Sequence, residues 1–306
     1  MKRLVAALAA GTLALTLGAC SSTNSSESDT EGLTVATSFY PLAWLIESIG
    51  GDDVTVISMT PANVEPHDYE LSPSDIAKMN EADLVVYVEG FQPSMDAAVE
   101  QISGPEVLEL SDSVGLLPLE EDHGDDDDEA HEHDHGNLDP HFWLDPERMS
   151  DAGEAIEESL SQADSANVTT YQEGQETVAG QLTDLDTEFA DGLATCERQT
   201  IVTTHAAFGY LTNRYGLTQV AISGIDPEAE PSPADLAAIK STIEETGTTT
   251  VFTEELASPK TAEAVASEAG ADLATLNPLE SQPSDGDYVS GMEANLAALQ
   301  GALGCN

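Results

Sequence analysis

The chain has 306 residues, carries 8 basic against 58 acidic side chains, and has a formal net charge of −50. So acidic a surface excludes nucleic acid as a partner, because phosphate binding needs a basic face, and it excludes a polybasic contact with anionic lipid. It concentrates cations nearby, but acid also serves solubility or life at high salt and does not by itself make a cation-binding protein.

The chain opens on "MKRLVAALAAGTLALTLGAC". Lys2 and Arg3 form a positive n-region, an apolar run follows, and small residues close it, which is the pattern of a cleaved secretory leader over residues 1–19. The run is short for a membrane span. "LGAC" resembles the lipobox of bacterial lipoproteins, which makes Cys20 the residue expected to carry lipid. "SSTNSSESDTEG" follows, polar and without hydrophobic period, and reads with Cys20 as a flexible tether over residues 20–32. Without the leader the net charge becomes −52, since the leader holds two basic residues and no acid. Two cysteines then remain, Cys196 and Cys305, and in an exported chain they are expected to form one disulfide.

From residue 33 strands and helices alternate. "LTVATSFY", "DVTVISMT", "DLVVYVEG" and "EVLEL" read as strands. "PLAWLIESIG" has helical spacing with Gly at its end. "SPSDIAKMNEA" begins a helix at Ser72, with Pro73 and Asp75 in its first turn. The pattern vanishes between 118 and 138. Helical composition and period then run from about Asp145 to Ala194, with a break near Asn167, long enough for a strut between two lobes. Alternation resumes: "TIVTTH" strand, "AAFGYLTNRYG" helix, "LTQVAISG" strand, "PADLAAIKSTIEETG" helix, "TTTVFTE" strand, "SPKTAEAVASEAG" helix, "ADLATLNP" strand and "DYVSGMEANLAALQGAL" helix. This predicts an α/β fold of two lobes, each with a mainly parallel sheet flanked by helices. The lobes span 33–146 and 195–306, with 147–194 as the linking region. "SPSDIAKMNEADLVVYVE" and "SPADLAAIKSTIEETGTTTVFTE" echo one another: capped helix, strand, then Glu.

Chemistry centres on histidine. His67, His141 and His205 fall in loops or at strand ends, where parallel α/β sheets place ligands. Taken singly, each reads more readily as a hydrogen-bonded structural residue, and no local metal motif such as HExxH or CxxC is present. His123, His131, His133 and His135 lie in "EDHGDDDDEAHEHDHG", whose composition builds no core. That tract, within residues 120–137, reads as a mobile loop able to bind divalent cations weakly; a solvated acidic loop is the plainer alternative.

"EPHDYELSPSD", "DPHFWLDP", "THAAFGYLTNRYGL" and "DYVSGMEANLAAL" occur in this order. With them the chain from about 33 to 305 resembles the metal-binding lipoproteins of bacterial zinc and manganese ABC importers. The resemblance implies that His67, His141 and His205 bind one metal in the cleft between lobes. Pro66 rules out a ligand Glu immediately before His67. Asn277 stands where manganese-type members carry Asp, and Glu280 matches the Glu of some zinc-type members. Glu280 or a water therefore completes the site, with Glu65 and Asp226 as weaker candidates. Three imidazoles and one carboxylate suit Zn²⁺, while Mn²⁺ prefers more oxygen ligands. Asp139 and Asp145 flank His141 as possible partners of its ring. A His- and acid-rich loop before "DPH" is typical of zinc-type members, which implies metal collection by its histidines.

The resulting expectation is a non-enzymatic, monomeric, lipid-anchored protein at the outer face of the cytoplasmic membrane. It captures Zn²⁺ for an ABC permease. The rivals are a manganese or iron member of the same family, a secreted zinc hydrolase, and an adhesin that uses zinc structurally.

Overall fold

The computed structural model describes residues 32–119 and 138–306. The leader, Cys20, nearly all of the tether, and the tract bearing His123, His131, His133 and His135 lie outside the described residues.

Two four-stranded parallel sheets organise the molecule. The first contains β1 (Leu33–Thr37), β2 (Val54–Ser58), β3 (Leu84–Tyr87) and β4 (Glu106–Glu109), in the order β2-β1-β3-β4. The second contains β7 (Thr200–Thr203), β8 (Thr218–Ala221), β9 (Thr250–Thr253) and β10 (Asp272–Thr275), in the order β10-β9-β7-β8. Read from the opposite edge, that is the same arrangement, with β7 in the place of β1. The match extends to backbone detail. Met59 and Thr60 donate N–H groups to the carbonyls of Thr37 and Ser38, as Ile222 and Ser223 do to those of Thr203 and Thr204. Phe39 and His205 therefore follow equivalent strand ends.

Helices cover both sheets. The first lobe has α1 (Tyr40–Gly50), α2 (Pro73–Glu81), α3 (Pro93–Val99) and the single-turn α4 (Ser111–Val114). The second has α7 (Gly209–Tyr215), α8 (Pro233–Thr246), α9 (Lys260–Ala269) and α10 (Tyr288–Leu303). The echoed segments are α2–β3 and α8–β9. Each helix starts with a reciprocal capping box, Ser72 with Asp75 and Ser232 with Asp235, which satisfies otherwise orphaned N–H groups.

Between the two sheets in chain order come α5 (Pro146–Ala163) and α6 (Val168–Leu193). The 26 residues of α6 span about 39 Å. Its buried stripe, Tyr171, Gln175, Val178, Leu182, Leu185, Phe189 and Leu193, follows the three-and-four spacing of one helix face. α6 packs on α5, on α1 of the first lobe and on α10 of the second. One apolar cluster runs from Val35 through Phe142 and Leu182 to Leu299, so the strut is part of a shared core. Among the described residues no helix is long and apolar enough to cross a membrane. A disulfide joins Cys196 to Cys305.

The structure differs from the sequence reading in small elements. The helix expected from Ala206 starts at Gly209, because the Ala206 N–H donates to the Gly224 carbonyl at 2.9 Å and holds the chain in an irregular turn. α3 was not expected. Neither was the antiparallel pair β5 (Leu117–Pro118) and β6 (Leu138–Asp139), which is two residues long and too short to show a period.

Candidate metal site

Each of the four residues proposed to gather at one point comes from a different connection. His67 lies between β2 and α2. Its loop is fastened by Gln92, whose amide donates to Thr60 Oγ1 and to the Tyr69 carbonyl, both at 3.2 Å. The His67 ring packs edge-on against Phe91. His141 follows β6 and is fully buried, with Trp143 beside it. His205 follows β7 and is also fully buried. Glu280 follows β10 and is 2 % exposed.

Carboxylates orient two of the rings. Asp139 Oδ1 accepts the Nδ1–H of His141 at 2.8 Å and its backbone N–H at 3.0 Å. Gly209 makes room for this aspartate, since a methyl group there would sit 2.7 Å from Asp139 Oδ2. Glu254, just past β9, accepts the Nδ1–H of His205 at 2.6 Å and its backbone N–H at 3.1 Å. With Nδ1 donating, each ring turns its Nε2 lone pair toward the centre.

At that centre His67 Nε2 lies 3.3 Å from His141 Nε2. Glu280 Oε1 lies 3.5, 3.6 and 3.4 Å from the Nε2 atoms of His67, His141 and His205. All four donor atoms fall within 4.8 Å of one another. Donors about 2.0–2.1 Å from a tetrahedral zinc ion stand about 3.3–3.4 Å apart, so these separations fit one such ion. His205 Nε2 and Glu280 Oε1 are buried without a hydrogen-bond partner. That is costly for polar atoms unless a bound cation or proton satisfies them.

The electrostatics agree with a cation seat. Burial opposes charge on Glu280, but the three imidazoles outweigh it and hold the carboxyl well below its usual range. Burial lowers His67. It also opposes protonation of His141 and His205, yet Asp139 and Glu280 raise the first, and Glu254 and Glu280 raise the second to about 10. A cation entering the cluster competes with protons for the ring nitrogens.

The other sequence candidates fall elsewhere. Glu65 accepts the His67 backbone N–H at 3.1 Å and is not among the clustered donors. Burial, reinforced by Glu280, pushes its carboxyl up to about 8. Asp226 is exposed and accepts the N–H of Glu228. Asp145 caps α5 and pairs with Arg214 rather than with His141. Sequence reasoning passed over Glu254, although the repeat that ends "strand, then Glu" marks its position. A small cavity lined by Asn63, Glu254, Glu255, Pro278, Glu280 and Ser281 adjoins the cluster.

The family profile for the zinc-uptake complex component A, periplasmic (ZnuA), matches residues 35–302. The chain belongs to this family. Within it, the chain is 35% identical to the high-affinity zinc uptake system protein ZnuA of Bacillus subtilis (strain 168), over 94% of this chain and 92% of that one. It is 35% identical to the zinc-binding lipoprotein AdcA of Streptococcus pneumoniae (strain ATCC BAA-255 / R6), over 97% of this chain but 60% of AdcA. The chain thus spans about 60% of the length of these AdcA relatives. Two solved structures share the ZnuA-family fold. Zn(II)-bound AdcA from Streptococcus pneumoniae matches with a TM-score of 0.75 and 32% identity, over 89% of this chain and 58% of that one. The laminin-binding protein Lmb of Streptococcus agalactiae, described as an adhesin with metal transporting activity, matches with 0.79 and 31%, over 89% and 100%. The two-sheet, two-lobe architecture read from the sequence is that of these neighbours.

Proposed function

We propose that this ZnuA-family chain captures Zn²⁺ outside the cytoplasm and delivers it to an ABC permease. The observation that carries the reading is the convergence of three imidazole nitrogens on one buried carboxylate oxygen, at 3.4 to 3.6 Å. That set, three nitrogens and one oxygen at tetrahedral spacing, suits zinc better than manganese. His67, His141, His205 and Glu280 are its ligands. With Glu280 in the fourth position, none is left for the activated water that a zinc hydrolase needs. Capture and release follow from this arrangement, and turnover does not.

The rest of the chain serves delivery. Residues 33–146 and 195–306 form the lobes, and 147–194 link them. Cys20 carries the lipid that holds the protein, as a monomer, at the outer face of the cytoplasmic membrane. His123, His131, His133 and His135 form an auxiliary collector. The names of the Bacillus and Streptococcus relatives support the zinc assignment.

The test is metal content and competitive affinity of the mature protein and of variants with His67, His141, His205 and Glu280 each changed to Ala. Each change should abolish tight stoichiometric zinc binding or weaken it severely. Tight binding of one zinc by His141→Ala would end this reading.

A further inference from the structure

Leu279, the residue before Glu280, has a backbone φ of 59°, in the left-handed region that side chains other than Gly enter rarely. Such a conformation persists only where its surroundings over-determine it. Here they do. The Asn277 N–H donates to Asn295 Oδ1 at 2.8 Å, and Asn295 Nδ2 donates back to the Asn277 carbonyl at 2.7 Å. Asn277 Oδ1 accepts the N–H of Leu279 at 2.8 Å. Trp143 Nε1 donates to the Pro278 carbonyl at 2.7 Å. Pro278 has no N–H, so side chains satisfy every main-chain polar group from Asn277 to the N–H of Leu279. Leu279 itself is fully buried and faces Gly291, where a methyl group would come within 2.5 Å of its Cδ2.

We propose that Asn295 is a positioning residue for metal binding. It sits on α10, 2 % exposed. Its paired hydrogen bonds to Asn277 hold the Asn277–Leu279 turn in its left-handed form, and that turn aims the Glu280 carboxylate at the three histidines. Asn277 thereby has a role of its own: it is a strut in the turn rather than a donor to the cation. The Trp143 bond ties the same turn to the segment carrying His141, so two ligands are set by one scaffold. This inference rests on the reading of Glu280 as a ligand.

The experiment compares zinc affinity by chelator competition, and the visible spectrum of the Co²⁺-loaded protein, in the wild type, Asn295→Ala, Asn295→Ala with Leu279→Gly, and Glu280→Gln. Far-UV circular dichroism and metal-free melting confirm folding. Asn295→Asp, which keeps the acceptor and loses the donor, replaces the Ala variant if that one does not fold. The Asn295 change should weaken zinc binding about 10–100-fold, the usual scale for groups that orient ligands. It should also replace the intense tetrahedral Co²⁺ bands by the weaker ones of higher coordination. Adding Leu279→Gly should recover affinity and spectrum in part, because Gly adopts the turn unaided. A purely structural asparagine would lower the melting temperature and leave the Co²⁺ spectrum alone. A folded Asn295 variant with wild-type affinity and spectrum overturns the proposal, as does a loss that glycine does not reduce. If Glu280→Gln binds zinc as the wild type does, the ligand reading itself fails and this inference falls with it. If that variant is impaired and Asn295→Ala is not, only the positioning role falls.

Discussion

Glu254 accepts both N–H groups that His205 offers, Nδ1–H at 2.6 Å and the backbone N–H at 3.1 Å. One carboxylate thereby fixes the position, the rotation and the tautomer of a buried ring. In Glu254→Gln only one amide oxygen is left to accept, and the amide NH₂ confronts the second donor. Zinc affinity should fall about 10–100-fold with the fold intact. Asp226→Asn, an exposed change outside the cluster, should leave it unaltered. Chelator competition measures both, and equal affinities for Glu254→Gln and the wild type would remove Glu254 from the site.

Deleting residues 121–136 separates the histidines of the acidic tract from the buried cluster. Among the described residues four donors, His67, His141, His205 and Glu280, already come together. Total zinc capacity should drop while one tight equivalent remains. Equilibrium dialysis followed by elemental analysis gives the stoichiometry, and disappearance of the tight equivalent would refute this division of labour.

The Cys196–Cys305 bond closes a separation of 109 residues and ties the end of α10 to the chain entering β7. Replacing both cysteines by Ala should cost about 2–4 kcal/mol of stability by freeing the unfolded chain. The cystine lies before the amino end of β7 and His205 beyond its carboxyl end, so zinc affinity should hold. Denaturant titration reads the first effect and competition the second.

Asp96 gives a pH signature that does not involve the metal site. Burial, aided by Glu89 and Glu109 and opposed by the Gly90 N–H, raises its carboxyl from 3.8 to about 6. Between those values the folded protein binds this proton more tightly than the unfolded chain does. The contribution of Asp96 to stability is therefore fully present below about pH 4. It is lost as pH rises through about 6. Asp96→Asn, which keeps an oxygen for the Gly90 N–H, should gain on the wild type across that window and run parallel above it. Melting temperatures at half-unit pH steps test this, and curves parallel throughout would show that Asp96 does not titrate as stated.

Much of the fold was legible because its periods are long and its punctuation strong. Ser72–Pro73 and Ser232–Pro233 mark two helix starts, and the apolar runs at Leu84–Tyr87 and Thr250–Thr253 mark the strands that follow. The short pieces were not legible. β5 and β6 pair over two residues each. Such lengths leave periodicity nothing to average, and tertiary contacts decide them.

The site divides the same way. The sequence by itself determined which residue types are available: histidines beyond strand ends, a single Glu in "NPLES", and an acidic balance that favours cations. It also determined the doubled helix–strand pattern that two like sheets realise. Only the tertiary structure decided that Glu254, 49 residues from His205, and Asp139, two from His141, hold those rings. It alone decided that the Asn277 main chain pairs with Asn295 while the Asn277 side chain accepts the N–H of Leu279. The physical reason is that periodicity and capping act within a few residues. The orientation of a buried donor is set instead by hydrogen bonds from whatever the fold packs beside it, whether that neighbour is two residues away, as Asp139 is, or 49 away, as Glu254 is.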